Sequence, residues 1–171
     1  MGRTDAAALY IRDGARFRSG GTGGGSDMNI GSDGNGYVEM AGWMQMPGWT
    51  VIGGGGNGRG VWVQKGGEAA NTSDTFAIGS GGGRGEAYFS GGTFTADRAI
   101  QVGRGAWNWK AFGAHAALTA TDAADVACKG GIDLAMQSNS VAALNLNGGI
   151  LQAKYIRKMA QVMPLNSGPK D

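Results

Sequence analysis

A chain of 171 residues, 42% hydrophobic and 16% charged, is long enough for one domain with a buried core. Its 35 glycines follow no Gly-X-Y period and only three prolines occur, which excludes collagen, while recurrent Val, Ile, Phe, Tyr and Trp exclude low-complexity disorder. A net charge of +2 with interleaved signs lacks the basic tract that nucleic-acid binding needs, and a single cysteine, Cys128, excludes an internal disulfide.

The start, "MGRTDAAALYIRDG", has no apolar leader core, so the chain reads as one that is not exported or whose leader has been removed. No run approaches the ~18 apolar residues of a membrane helix. Residues 1 to 27 read as a rung already under way or a cap, with Arg3, Arg12, Arg16 and Arg18 on a solvated face.

Four segments then begin alike: "MNIGSDGNG" from Met28, "TVIGGGGNGRG" from Thr50, "FAIGSGGGRG" from Phe76 and "IQVGRGAWN" from Ile100. A fifth, "VACKGG" from Val126, keeps the rhythm. Their third positions, Ile30, Ile52, Ile78, Val102 and Cys128, are 22, 26, 24 and 26 residues apart. Every spacing is even. Side chains of a strand alternate faces with period two, so even spacings keep one apolar set on one side. Sliding the repeats over one another makes columns of Val61, Ala87 and Ala111; of Val63, Phe89 and Gly113; and of Phe76, Ile100 and Val126. Two more join Phe94, Leu118 and Leu144, and Ala96, Ala120 and Leu146. Cys128 falls in the Ile78 and Val102 column, as a small buried hydrophobe.

Each repeat holds three short apolar alternations separated by glycine corners. The expected fold is therefore all-β, a parallel β-solenoid (β-helix) with three short strands per rung. Its repeats run over 28–49, 50–75, 76–99, 100–125 and 126–149 within 28–153, and residues 154–171 form a C-terminal cap or tail. About six rungs at ~4.8 Å spacing make a rod ~30 Å long. A membrane barrel would need strands of ~9–11 residues, and here the alternations break at glycines sooner.

The chemical motifs are weak. Gly53 to Gly58 satisfies G-x-G-x-x-G after a strand, but "RGVWVQKGG" follows it, a strand pattern where a dinucleotide site needs a helix. No cofactor is expected. His115 and Cys128 are each alone, so no metal site is expected; "GSDGNG" at 31–36 reads as a turn rather than a calcium loop. Glu86 aligns with Lys110 as a cross-rung ion pair. Asp74, Asp97 and Asp125 each precede a rung and suggest an acidic column at one corner. With Val61 and Val63 pointing inward, Trp62 points outward over Tyr88 and Phe112, and Trp107 and Trp109 lie in the neighbouring turn. These five aromatics are the candidate ligand-binding residues, either a sugar-stacking surface or a self-stabilising ladder.

The stretches "FSGGTFTADRAIQVGRG" (89–105) and "LNLNGGILQA" (144–153) resemble the autotransporter-associated strand repeats of secreted bacterial proteins. The likeness spans roughly residues 28 to 153. It implies a right-handed β-solenoid passenger, extracellular or at the cell surface, serving as stalk or adhesive scaffold. The expected function is a non-enzymatic structural or adhesive module contacting glycan or a cell-surface ligand, with end-to-end or lateral self-association where no cap closes the rod. The alternative is a carbohydrate-processing β-helix of polysaccharide lyase or phage tailspike type, with the acidic corner, Trp107 and Trp109 as its site.

Overall fold

The computed structural model describes residues 5–20, 27–105, 113–137 and 139–159, and among them every regular element is a strand. A partial first coil contains β1 (Ala6–Ile11) and β2 (Arg16–Arg18). The next two coils have three strands each: β3 (Met28–Ser32), β4 (Asn35–Met40) and β5 (Trp43–Met46), then β6 (Thr50–Gly54), β7 (Arg59–Gln64) and β8 (Glu68–Asn71). In the following three coils the second and third strands run on as one. These are β9 (Phe76–Ser80) with β10 (Arg84–Ala96), β11 (Ile100–Val102) with β12 (His115–Cys128), and β13 (Ile132–Leu134) with β14 (Val141–Ala153). β15 (Ile156–Lys158) begins another coil. Five complete coils are thus flanked by a partial one at either end.

Every pairing in the ladder is parallel and joins a strand to its counterpart one coil away, which makes the protein a β-solenoid. Its first face stacks β3, β6, β9, β11, β13 and β15. The second stacks β1, β4, β7 and the leading halves of β10, β12 and β14; the third stacks β2, β5, β8 and the trailing halves. Register shifts between Phe89 and Gly91 and between Asp122 and Asp125 mark the corner within the long strands.

The first face keeps the aliphatic column Ile30, Ile52, Ile78 and Val102, but its next member is Leu134. Cys128, expected there, pairs instead with Ala96 and Ala153 on the third face; Val126, expected beside Ile100, pairs with Phe94 and Leu151. The fifth coil therefore opens at Ile132, not Val126. The reason is the connection from Val102 to His115, far longer than the corresponding Ile78-to-Arg84 turn, which sets β10 and β12 31 residues apart where 24 was expected (His115 against Arg84). Leu118 accordingly stacks on Ala87 and Leu144, and Ala120 on Phe89 and Leu146.

The second face reverses another expectation. Ile52 pairs with Ile78, 26 apart, yet Arg59 pairs with Arg84, 25 apart, because the glycine turn before Arg59 is one residue longer. That single residue moves the strand out of the extrapolated register. Val61 stacks on Glu86 and Val63 on Tyr88, both valines lying half-buried on the outer side. Trp62, expected outside, is 0% exposed and stacks on Ala87.

Inside the coil, Trp62 meets Phe76 and Phe94 edge-on, with centroids 5.7 and 6.2 Å apart, and Phe94 lies 4.6 Å from Phe76 and 5.0 Å from Phe89. Burying each such side chain is worth about 1.5–3 kcal/mol. Met40, Met44 and Met46 fill the core on the N-terminal side, and Leu118, Val126 and Ile132 on the other. Asn71 ties a corner from within: its Nδ2 donates to Gly48 O at 2.9 Å and Thr50 Oγ1 at 3.1 Å.

Candidate functional site

The glycine turns place the residues that follow them. In "NGYV", "NGRGV" and "GGRGE" a glycine, Gly36, Gly60 or Gly85, sits in one column where a Cβ would run into the backbone of the preceding first-face strand. With those glycines locked inward, their neighbours point out. Asn35, Arg59, Arg84, His115 and Val141 form one outer column, and Tyr37, Val61, Glu86 and Ala117 the next. A third holds Tyr10, Glu39, Val63, Tyr88, Thr119 and Asn145.

Two tyrosines here are held by neighbouring carboxylates. The Tyr88 hydroxyl donates to Glu86 Oε2 at 2.6 Å, and the Tyr37 hydroxyl to Glu39 Oε2 at 2.9 Å. Each hydrogen bond pushes its phenol above the ordinary range, because ionisation would face a carboxylate and lose the bond. Tyr37 lies 5.8 Å from Tyr10, so two adjacent coils present neighbouring rings. Glu39 is also met by Lys65 Nζ at 2.8 Å and Arg12 Nη1 at 3.5 Å, and the Lys65 and Tyr37 hydrogen bonds hold its carboxyl below the usual range. Arg59, Arg84 and His115, by contrast, are exposed on successive coils, and their side chains have no protein partner among the described residues. A shallow hollow lined by Ala7, Gly36, Tyr37, Arg59 and Val61 opens on this side.

Of the aromatic candidates, Tyr88 alone is placed on this outer face, 39% exposed. Trp62 belongs to the core and cannot stack on a ligand. Trp107, Trp109 and Phe112 lie outside the described residues, as does Lys110, the expected partner of Glu86. Arg59, Arg84 and Tyr37 escaped sequence reasoning, although the shared "GRG" would have aligned the two arginines directly.

The acidic corner column does not form. Asp97 pairs with Lys129 Nζ at 2.8 Å, and Asp125 lies within β12 between Thr93 and Ile150. Asp74 Oδ1 accepts the Thr75 amide at 2.7 Å, closing a turn. Asp33, in the suspected calcium loop, takes φ +54° between β3 and β4, a turn geometry asparagine and aspartate tolerate. Among the described residues no three His, Cys, Asp or Glu side chains gather closely enough to hold a metal ion. Cys128 is buried, its Sγ donating to Arg98 O at 3.0 Å and Gly131 O at 3.4 Å, and burial pushes the thiol up. Among the described residues no helix is long and apolar enough to cross a membrane. Comparison with protein-family models, curated proteins and solved structures finds no match for the chain.

Proposed function

We propose that the chain is a non-enzymatic structural and adhesive module, a stiff spacer whose second face holds an acidic glycan along the rod axis. The observation that carries this reading is the column of Arg59, Arg84 and His115, without side-chain partners among the described residues, beside tyrosines pinned by Glu39 and Glu86. Coils rise ~4.8 Å, close to the length of one sugar unit, so carboxylates on an extended polyuronate meet successive coils. Stacked guanidinium groups repel, and a polyanion relieves that repulsion. Tyrosine rings held at one angle offer faces on which sugars stack at little entropic cost. The dispersal of Asp97 onto Lys129 and of Asp125 into a strand favours this reading over a polysaccharide lyase or tailspike. Placement at a cell surface or outside the cell rests on the resemblance of residues 28 to 153 to autotransporter-associated repeats.

Binding of polygalacturonate, with neutral dextran as control, tests the proposal. Wild type should bind polygalacturonate in a salt-sensitive manner, and the Arg59→Ala, Arg84→Ala double variant should lose about tenfold or more in affinity, of the order expected for two charge-assisted contacts. Equal binding of both polymers, indifference to the double variant, or release of new reducing ends would overturn it.

A further inference from the structure

The two ends of the solenoid are complementary. Among the described residues, the N-terminal layer has second- and third-face strands, β1 and β2, and no first-face strand; the C-terminal layer has a first-face strand, β15, and neither of the others. We propose that copies of this chain stack end to end, β15 filling the place beside β1 and β2 of the next copy and closing one complete coil. β14 then pairs with β1 and β2 of that copy, and β15 with its β3.

The registers on both ends match. The inner column positions of β1 are Ala7, Leu9 and Ile11, and those of β14 are Ala142, Leu144 and Leu146, a small residue followed by two large ones in each case. Continuing the parallel ladder that joins β12 to β14 by one coil sets Leu144 on Leu9 and Leu146 on Ile11. It also sets Leu151 on Phe17 and Ile156 on Met28. Three charges stay on outer columns: Arg16 and Arg18 meet Ile150 and Gln152, and Arg157 meets Asn29. Lys158 falls on Ile30 in the inner aliphatic column, so it is the one charge that each junction carries inward.

The C-terminal end is built like a core cut open. Leu146 is 52% exposed whereas Ala120, one coil inward in its column, is 0%; Ile156 is 52% exposed whereas Ile132 is 0%. Among the described residues β14, 13 residues long, pairs on one side only, with β12, which leaves its other edge as a template for strand addition. The junction is heterologous and the operator is a translation along the rod with rotation, so it does not close on itself and yields filaments.

The test measures mass against concentration by light scattering and ultracentrifugation, with electron microscopy of the products. Wild type should grow from the 17.4 kDa chain into filaments of constant width. Leu144→Lys and Leu9→Glu should each stay at the mass of one chain, since each alone adds to every junction a second inward charge, set in the middle of the second face's apolar column. Mixed in equal amounts they should assemble again, because both kinds of mixed junction are then either wild type or lysine against glutamate. Circular dichroism checks that each variant retains its strands. Should either lose them, Leu146→Lys, at a side chain already half in water, takes its place: lost assembly supports the proposal and unchanged assembly overturns it. A wild type monomeric at every concentration, or folded variants that assemble alone or fail to assemble when mixed, would also overturn it. Glycan binding plays no part in this experiment, so the two proposals stand or fall separately.

Discussion

Gly53 and Gly56 lie three residues apart in one turn and have opposite requirements. Gly53 holds φ +73°, and a Cβ there would run into the Arg84 carbonyl of the next coil. Gly56 has no positive φ, and its Cβ would meet no heavy atom within 4 Å. Gly53→Ala should therefore destabilise the protein by at least about 2 kcal/mol, from backbone strain and the clash together. Gly56→Ala should leave the structure intact and stabilise it by about 0.4–1 kcal/mol, through the lower entropy of the unfolded chain. Urea midpoints of the two variants decide, and an unchanged midpoint for Gly53→Ala would show that the turn can yield. The same distinction explains what a glycine-rich sequence discloses: that it bends is plain from composition, while which glycines are obligatory depends on the backbone opposite, which no local pattern records.

At the scale of the strand, register was legible where large side chains mark it and was lost where they do not. Ile30, Ile52, Ile78 and Val102 stand at even spacings on a buried face, and they do stack. Between Ile52 and Arg59 lie only glycines and one asparagine, so nothing in the pattern reveals that this turn is a residue longer than its successor. The apolar alternation of "VWVQ" fits either face equally well. Trp62 goes inward because Phe76 and Phe94 leave a slot for its ring, a tertiary fact. The candidate site suffered with it, since Tyr88 kept its outward place only because "EAYF" is flanked by Glu86 and by the buried Ala87 and Phe89.

The strand scale also sets a pH response. Glu39 on β4 is held by Lys65 on the next coil and Arg12 just beyond β1 on the previous one, so one carboxylate ties three coils. Its pKa is lowered in the fold, chiefly by the hydrogen bonds from Lys65 and Tyr37. A lowered folded value means that the stabilisation is present above the unfolded carboxyl's ordinary ~4.3 and disappears as pH falls below it toward the folded value. Glu39→Gln should flatten the loss of thermal stability across that acid window and leave the slope above pH 6 unchanged. A variant whose acid limb matches wild type would assign the acid sensitivity to other carboxylates. The contribution is small in either case, because the groups are in contact with solvent.

Over the whole molecule, a solenoid gains stability coil by coil, each layer touching only its neighbours, so its resistance to opening should follow where its largest side chains lie. Trp62, Phe76, Phe89 and Phe94 occupy two adjacent coils, and each contacts at least one of the others. Toward the ends the packing thins: β1 holds only Ile11 fully inside, and β14 has no buried residue. Amide hydrogen exchange of dilute protein should show strongest protection in β7, β9 and β10, falling through β4 and β12 to least in β1, β2, β14 and β15. Such a gradient is what a one-dimensional stack with a central aromatic nucleus requires, whereas uniform protection would mean that all coils open together as one cooperative unit. Raising the concentration separates the two ends of the argument. Stacked copies should slow exchange in β1 and β14 together, because each supplies the other's missing partner strand, and should leave β7 and β9 as they were.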